Sequence, residues 1–169
     1  TLFRSRETVA LPITWGACAL YAVGFGGYVA GSGDRPTYRK NADALTQTDA
    51  ANKMAGFVLL AVAMRPIGGW LSDRFAAGRI LTAAFAVVAV GAVVQAATPG
   101  LNPIGTAAFL TMAAALGAAS GAVFALVAQQ APANKVGAVT GLVGAAGGLG
   151  GFIPPLAMGS IYSGLGSYA

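Results

Sequence analysis

One fixed charge stands deep inside an apolar run: Arg65, in "MAGFVLLAVAMRPIGGWL" (Met54 to Leu71). It lies six residues before Leu71, about 9 Å of helix rise. A charge at bilayer depth costs at least ~2.5 kcal/mol and normally faces a bundle interior or a water-filled cavity. Snorkelling to the headgroups is the alternative, because the side chain is long. Gly68 and Gly69 stand at i+3 and i+4 on the same helix face, which clears space that a lipid-facing arginine does not need. Pro66 comes next and frees the carbonyl of Val62 from its helical bond. A guanidinium presents its N–H donors in one plane, and a planar oxyanion accepts two of them side by side. One positive charge with few other donors suits a small, weakly hydrated monovalent anion and suits phosphate or sulfate poorly.

Tyr21 and Phe25 form a second constellation at i, i+4, with Gly24 and Tyr28 on the same face. An aromatic packing stripe has the same spacing. Tyr21, however, falls near the middle of an apolar run, where a hydroxyl needs a partner. Other chemistries lack their residues. The chain has no histidine, and no Asp or Glu lies inside an apolar run, so hydrolysis or metal binding within a membrane is not expected. Cys18 is the single cysteine and can form no internal disulfide. The expected reading is therefore not an enzyme, with neither cofactor nor metal.

The elements that hold these residues follow from composition. The 169 residues are 56% hydrophobic and 9% charged, with mean hydropathy +0.70; soluble domains carry about 25% charged residues. The net charge of +5 comes from basic residues scattered singly, with no basic stripe, so nucleic acid is not an expected partner. A bilayer crossing needs about 20 mostly apolar residues. Five runs qualify, at about 11–30, 54–71, 80–97, 104–128 and 137–158. They are too long, and too little alternating, for barrel strands. The fold expected is an all-α membrane protein, a bundle of five transmembrane helices with the lipid bilayer as partner. Three connections are short: 72–79, 98–103 and 129–136. The fourth, 31–53, is polar and reads as a linker. Residues 1–6, "TLFRSR", lack the apolar core of a signal peptide and read as a linker or sequencing-adapter remnant, leaving 7–169 as the transmembrane domain. Lysine and arginine divide five against four between the two sides, so charge alone sets no orientation.

The loop between the second and third runs is "GGWLSDRFAAGR" (Gly68 to Arg79). Asp73 there can pair with arginines or cap a neighbouring helix, holding two helices in one conformation and releasing them in another; a solvated turn is the simpler alternative. Gly69, Leu71, Asp73, Arg74 and Arg79 resemble the Gly-x-Leu-x-Asp-Arg loop of the major facilitator superfamily. On either side, "MRPIGGWLSDR" and "GAAGGLGGFIPP" are similar to the nitrate/nitrite porters within it. The resemblance covers about 15–159. It implies helices seven to eleven of a twelve-helix transporter in a bacterial plasma membrane, with cytoplasmic loops at 72–79 and 129–136 and an N-terminal half as partner. It implies a small inorganic anion, nitrate or nitrite, bound by Arg65 and lined by Tyr21 and Phe25. Where the family continues apolar, this chain reads "GSGDRPTYRK", and Asp34 and Arg35 are expected to shorten the first helix.

"GLVGAAGGLGGFIPP" (Gly141 to Pro155) puts glycine, a poor helix former, into an apolar span. Lipid offers the backbone no other partner, so a helix forms regardless. At about 100° per residue, Gly137, Gly141, Gly144, Gly147, Gly148 and Gly151 fall within a ~120° arc. Such a face lets a neighbouring helix approach closely and slide. Static close packing is the alternative. Pro154 and Pro155 are expected to kink or end the helix. The leading expectation is anion transport by alternating access, this chain supplying part of the porter. The competing one is a non-transporting membrane segment or interaction module with an incomplete anion site.

Overall fold

The computed structural model describes the backbone of residues 9–42, 47–97 and 103–165, and side chains within 9–27, 55–97 and 104–153 and at 156 and 160. Five helices account for it: α1 (Pro12–Ala42), α2 (Gln47–Arg74), α3 (Ala77–Ala97), α4 (Pro103–Gln130) and α5 (Val136–Leu165). No strand occurs among the described residues. Among the described residues four stretches are long and apolar enough to cross a membrane: Ala55–Arg74, Ala77–Ala97, Ile104–Gln130 and Val136–Ile153. The first expected span, 11–30, runs past Gly27, so its upper end lies outside the residues whose side chains are described.

Two boundaries differ from the sequence expectation. Asp34 and Arg35 do not shorten the first helix: α1 stays helical to Ala42, and α2 already begins at Gln47. Most of the polar stretch 31–53 is therefore helix rather than linker. Extending a formed helix adds one hydrogen bond per residue ordered, and only nucleation is costly, so polarity alone does not stop it. Pro154 and Pro155 likewise do not end α5, which continues to Leu165. A backbone surrounded by apolar groups gains nothing by leaving the helix.

The bundle is organised around α4. Buried residues make up 56% of its membrane stretch against 22%, 17% and 22% for those of α2, α3 and α5. It touches all four other helices, whereas α2 and α5 do not meet among the described residues. Its partners approach through small residues. Gly68 of α2 lies against the backbone of Ala118, and Gly117 of α4 against that of Ala61. Phe57 and Phe109 stack beside this crossing, ring centroids 4.4 Å apart at 26°. On the other side Gly26 of α1 meets the backbone of Gly150 of α5, and Gly150 in turn meets Ala22. Alanines and valines fill the rest of the core, among them Ala17, Ala119, Ala122, Val123, Val139 and Val143. Larger apolar residues such as Leu59, Val90, Val93 and Phe152 point outward, as a lipid-facing surface requires.

Side-chain amides tie both ends of α4. Gln95 Nε2 donates to the Gly105 carbonyl (2.6 Å), joining α3 to the start of α4. Gln129 Nε2 donates to the Ser72 carbonyl (2.9 Å), closing the C-terminal end of α2 onto the end of α4. Ser72 lies in the last turn of α2, where a carbonyl has no partner within its own helix, and the Gln129 amide supplies one. Buried hydroxyls turn back on their own helices: Ser72 Oγ donates to the Gly68 carbonyl (2.8 Å) and Ser120 Oγ to that of Leu116 (2.9 Å).

Candidate functional site

The helical register of α2 carries Arg65 to the side facing α1. Its guanidinium carbon lies 5.7 Å from the centroid of the Phe25 ring, within cation–π range. Phe25 and Tyr21, one turn apart on α1, stack at 5.6 Å and 20°. Tyr21 is 7% exposed and meets Phe124 of α4 edge-on at 4.8 Å and 61°. Behind Tyr21 stands Gly147 of α5: a side chain there would run into the tyrosine ring. Four helices thus converge on one arginine and three aromatic rings. The arginine and both aromatics expected from the sequence are brought together, and the contact is across helices rather than along one.

Arg65 is half-buried. The next turns of α2 mark its depth. Trp70 and Phe75 are exposed, and the Arg74 guanidinium lies 4.6 Å over the Trp70 ring. An aromatic residue with a cation on its face is typical of the headgroup level. Arg65 sits five residues before Trp70, about 7.5 Å of helix rise further in. Pro66 stands inside α2 without ending it. It has no N–H to give to the Val62 carbonyl, so α2 is held by one bond fewer beside the arginine.

Gly68 does not serve as expected. It clears space for the α4 backbone at Ala118, not for the guanidinium. Gly69 is half-buried, with room for an ordinary contact to the Gly121 carbonyl at 3.9 Å. The loop residues Asp73, Arg74 and Arg79 are all exposed, and among the described residues no ion pair links Asp73 to either arginine. The loop is anchored instead through Gln129 on Ser72.

The six α5 glycines divide. Gly147 and Gly151 are buried, whereas Gly137, Gly141, Gly144 and Gly148 have no atom of the described residues within 4 Å of where a side chain would start. The close approach that α5 does make uses Gly150, outside the expected set. Sequence reasoning also passed over Phe124 and the pair Gly117/Gly121. Phe124 gives no signal beyond being an aromatic in an apolar run. The glycine pair did give one: "GAASG" spaces two glycines four apart, the small-xxx-small pattern of close helix contacts.

The fold is an all-α membrane bundle, with one arginine set against aromatic rings. The chain belongs to the Major Facilitator Superfamily, whose family model matches residues 2–155. At 47% identity over 159 residues it is similar to a probable nitrate/nitrite transporter, NarK2, of Mycobacterium tuberculosis (strain ATCC 25618 / H37Rv), covering 94% of this chain and 40% of that protein. It is 34% identical over 159 residues to the nitrite extrusion protein of Bacillus subtilis (strain 168), covering 93% and 39%. It is 36% identical over 121 residues to a probable nitrate transporter, NarT, of Staphylococcus aureus (strain N315), covering 72% and 31%. These relatives bear out the resemblance to nitrate/nitrite porters read from the motifs, and with the apolar helices they make this an integral membrane protein. The chain spans about 40% of the length of the first of them.

Proposed function

We infer that this chain supplies one side of the anion site of a nitrate/nitrite porter in a bacterial plasma membrane. The observation that carries this is the Arg65 guanidinium held 5.7 Å from the Phe25 ring, with Tyr21 stacked behind it. A single cation beside aromatic faces offers charge, planar donors and little water. Nitrate and nitrite are planar and monovalent, so they take paired donors on one edge and a ring on a face. Sulfate and phosphate hold their water more strongly and need more donors. The names of the relatives agree with this selectivity, and their bacterial sources agree with the membrane.

The anion passes without bond chemistry. It binds near the middle of the membrane while the two halves of the porter rock around it. The other half is the expected partner, since the curated relatives are more than twice as long as this chain. Competition in proteoliposomes holding the complete porter tests the reading: nitrite reduces nitrate uptake at comparable concentration, while sulfate and phosphate do not. Equal competition by sulfate overturns it. The 169-residue chain reconstituted by itself is expected to give no saturable nitrate uptake above empty liposomes. Saturable uptake would show that the chain is sufficient alone.

A further inference from the structure

The geometry points to Gly121 as a positioning residue for Arg65, a role that rests on the anion site proposed for this chain. α4 meets α2 at the arginine itself. A Cβ at position 121 would collide with the Arg65 carbonyl oxygen and stand 2.9 Å from both the Arg65 carbonyl carbon and the Gly69 nitrogen. All three atoms are backbone, so no rotamer change relieves the contact. Any side chain at 121 moves α2 away from α4.

This stretch of α2 depends on that support. Pro66 deprives the turn of one helical bond at Val62, and the α4 backbone stands directly behind it. The arginine must also meet an aromatic on another helix. Phe25 rides on α1, which packs closely on α5 through Gly26 and Gly150. Three residues beyond Gly121 on the same helix, Phe124 touches Tyr21 at 4.8 Å. One turn of α4 therefore backs the arginine and fixes the aromatic side at once. Gly121 sets the spacing between them without touching the anion.

Gly117 is the matched control. It lies one turn earlier in the same crossing and makes the same kind of contact, against the Ala61 carbonyl oxygen, with the Ala61 carbonyl carbon at 2.8 Å. Ala61 carries no group toward the site. Gly117→Ala and Gly121→Ala disturb the crossing alike, but only the second pushes on Arg65.

Nitrate uptake by the complete porter tests this through KM, which does not depend on how much protein is recovered. Displacing a binding group by an ångström costs up to about a hundredfold. Gly121→Ala is expected to raise the nitrate KM at least about tenfold more than Gly117→Ala, with similar losses of Vmax. Equal KM values overturn the proposal, and so does failure of Gly121→Ala to insert, which makes the glycine a folding element. A second variant separates the causes. In an Arg65→Lys background, Gly121→Ala should add little, because the geometry it disturbs is already lost; full additivity overturns the positioning role. Normal nitrate affinity in Arg65→Lys alone would instead remove the anion-site reading.

Discussion

Two glycine-bearing helices of this chain behave in opposite ways. α4 has few glycines in its buried stretch, and Gly117 and Gly121 meet the α2 backbone there. α5 carries the dense run, yet Gly137, Gly141, Gly144 and Gly148 face open space within this chain. The difference teaches that glycine density does not locate an interface. A glycine is required where a second backbone lies within its missing side chain, and that depends on the neighbour's path. On α4 the neighbour is present, and the contact supports the arginine. On α5 four of the glycines have no neighbour that close among the described residues.

The largest effect is expected on that uncovered face. A Cβ at position 144 has no described atom within 4 Å, so Gly144→Leu is expected to leave insertion and folding intact. If the face slides against another part of the porter during transport, the leucine blocks it. The complete porter bearing Gly144→Leu should then bind nitrate and fail to transport it, measured as lost uptake with retained anion binding. Uptake at the normal rate would mean that the face meets only lipid, and the contrast with α4 would be complete.

Arg65→Lys comes next, because it tests what the α4 glycines support. Lysine keeps the charge and loses the paired planar donors. Loss of one hydrogen bond to a charged group costs roughly 1.5 to 3 kcal/mol, about 10- to 150-fold in affinity. Lysine snorkels as well as arginine does, so a membrane-interface role predicts near-normal nitrate affinity. Direct binding to the purified porter decides between them.

Gly147→Leu separates the buried α5 glycines from the uncovered ones. The leucine would occupy the space of the Tyr21 ring, which is held on its other sides by Phe25 and Phe124. Overpacking of this kind costs about 1–3 kcal/mol. The purified porter should unfold at lower temperature than Gly144→Leu, which has open space to fill. Equal melting of the two would mean that α5 can turn about its axis, and the burial of Gly147 would not matter.

How far the fold was legible depends on the same physics. Arg65 stood out because a charge in an apolar run is costly, and Tyr21 because a hydroxyl there is. The structure brings both into one cluster with Phe25. The spans were legible because lipid leaves the backbone only the helix. Helical ends were less so: nothing in "GSGDRPTYRK" shows that α1 continues, since propagation tolerates polar residues. Phe124 was missed because an aromatic ring in an apolar helix has no polarity to mark its direction. Gly68 was assigned to the wrong neighbour, because spacing along α2 identifies its face but not the path of α4. Pairs of backbones that touch are a property of two helices, and either sequence by itself is silent on the crossing point.

The smallest effect is expected at Tyr21, where the aromatic and polar roles can be taken apart. Tyr21→Phe keeps the ring on Phe25 and on the edge of Phe124 and removes only the hydroxyl. Neither Gly147 behind it nor the packing of α1 on α4 is disturbed. The hydroxyl is a neutral donor to an anion whose charge Arg65 already faces, so its loss should cost near the low end of a bond to a charged group, about 1.5 kcal/mol or roughly tenfold in nitrate affinity. The loss should vanish in an Arg65→Lys background if hydroxyl and guanidinium hold the same anion, and persist if the hydroxyl acts elsewhere. An unchanged affinity would leave Tyr21 as a packing ring, shaped by Gly147 and without a hand in the anion. The anion site would then rest on the arginine and the face of Phe25.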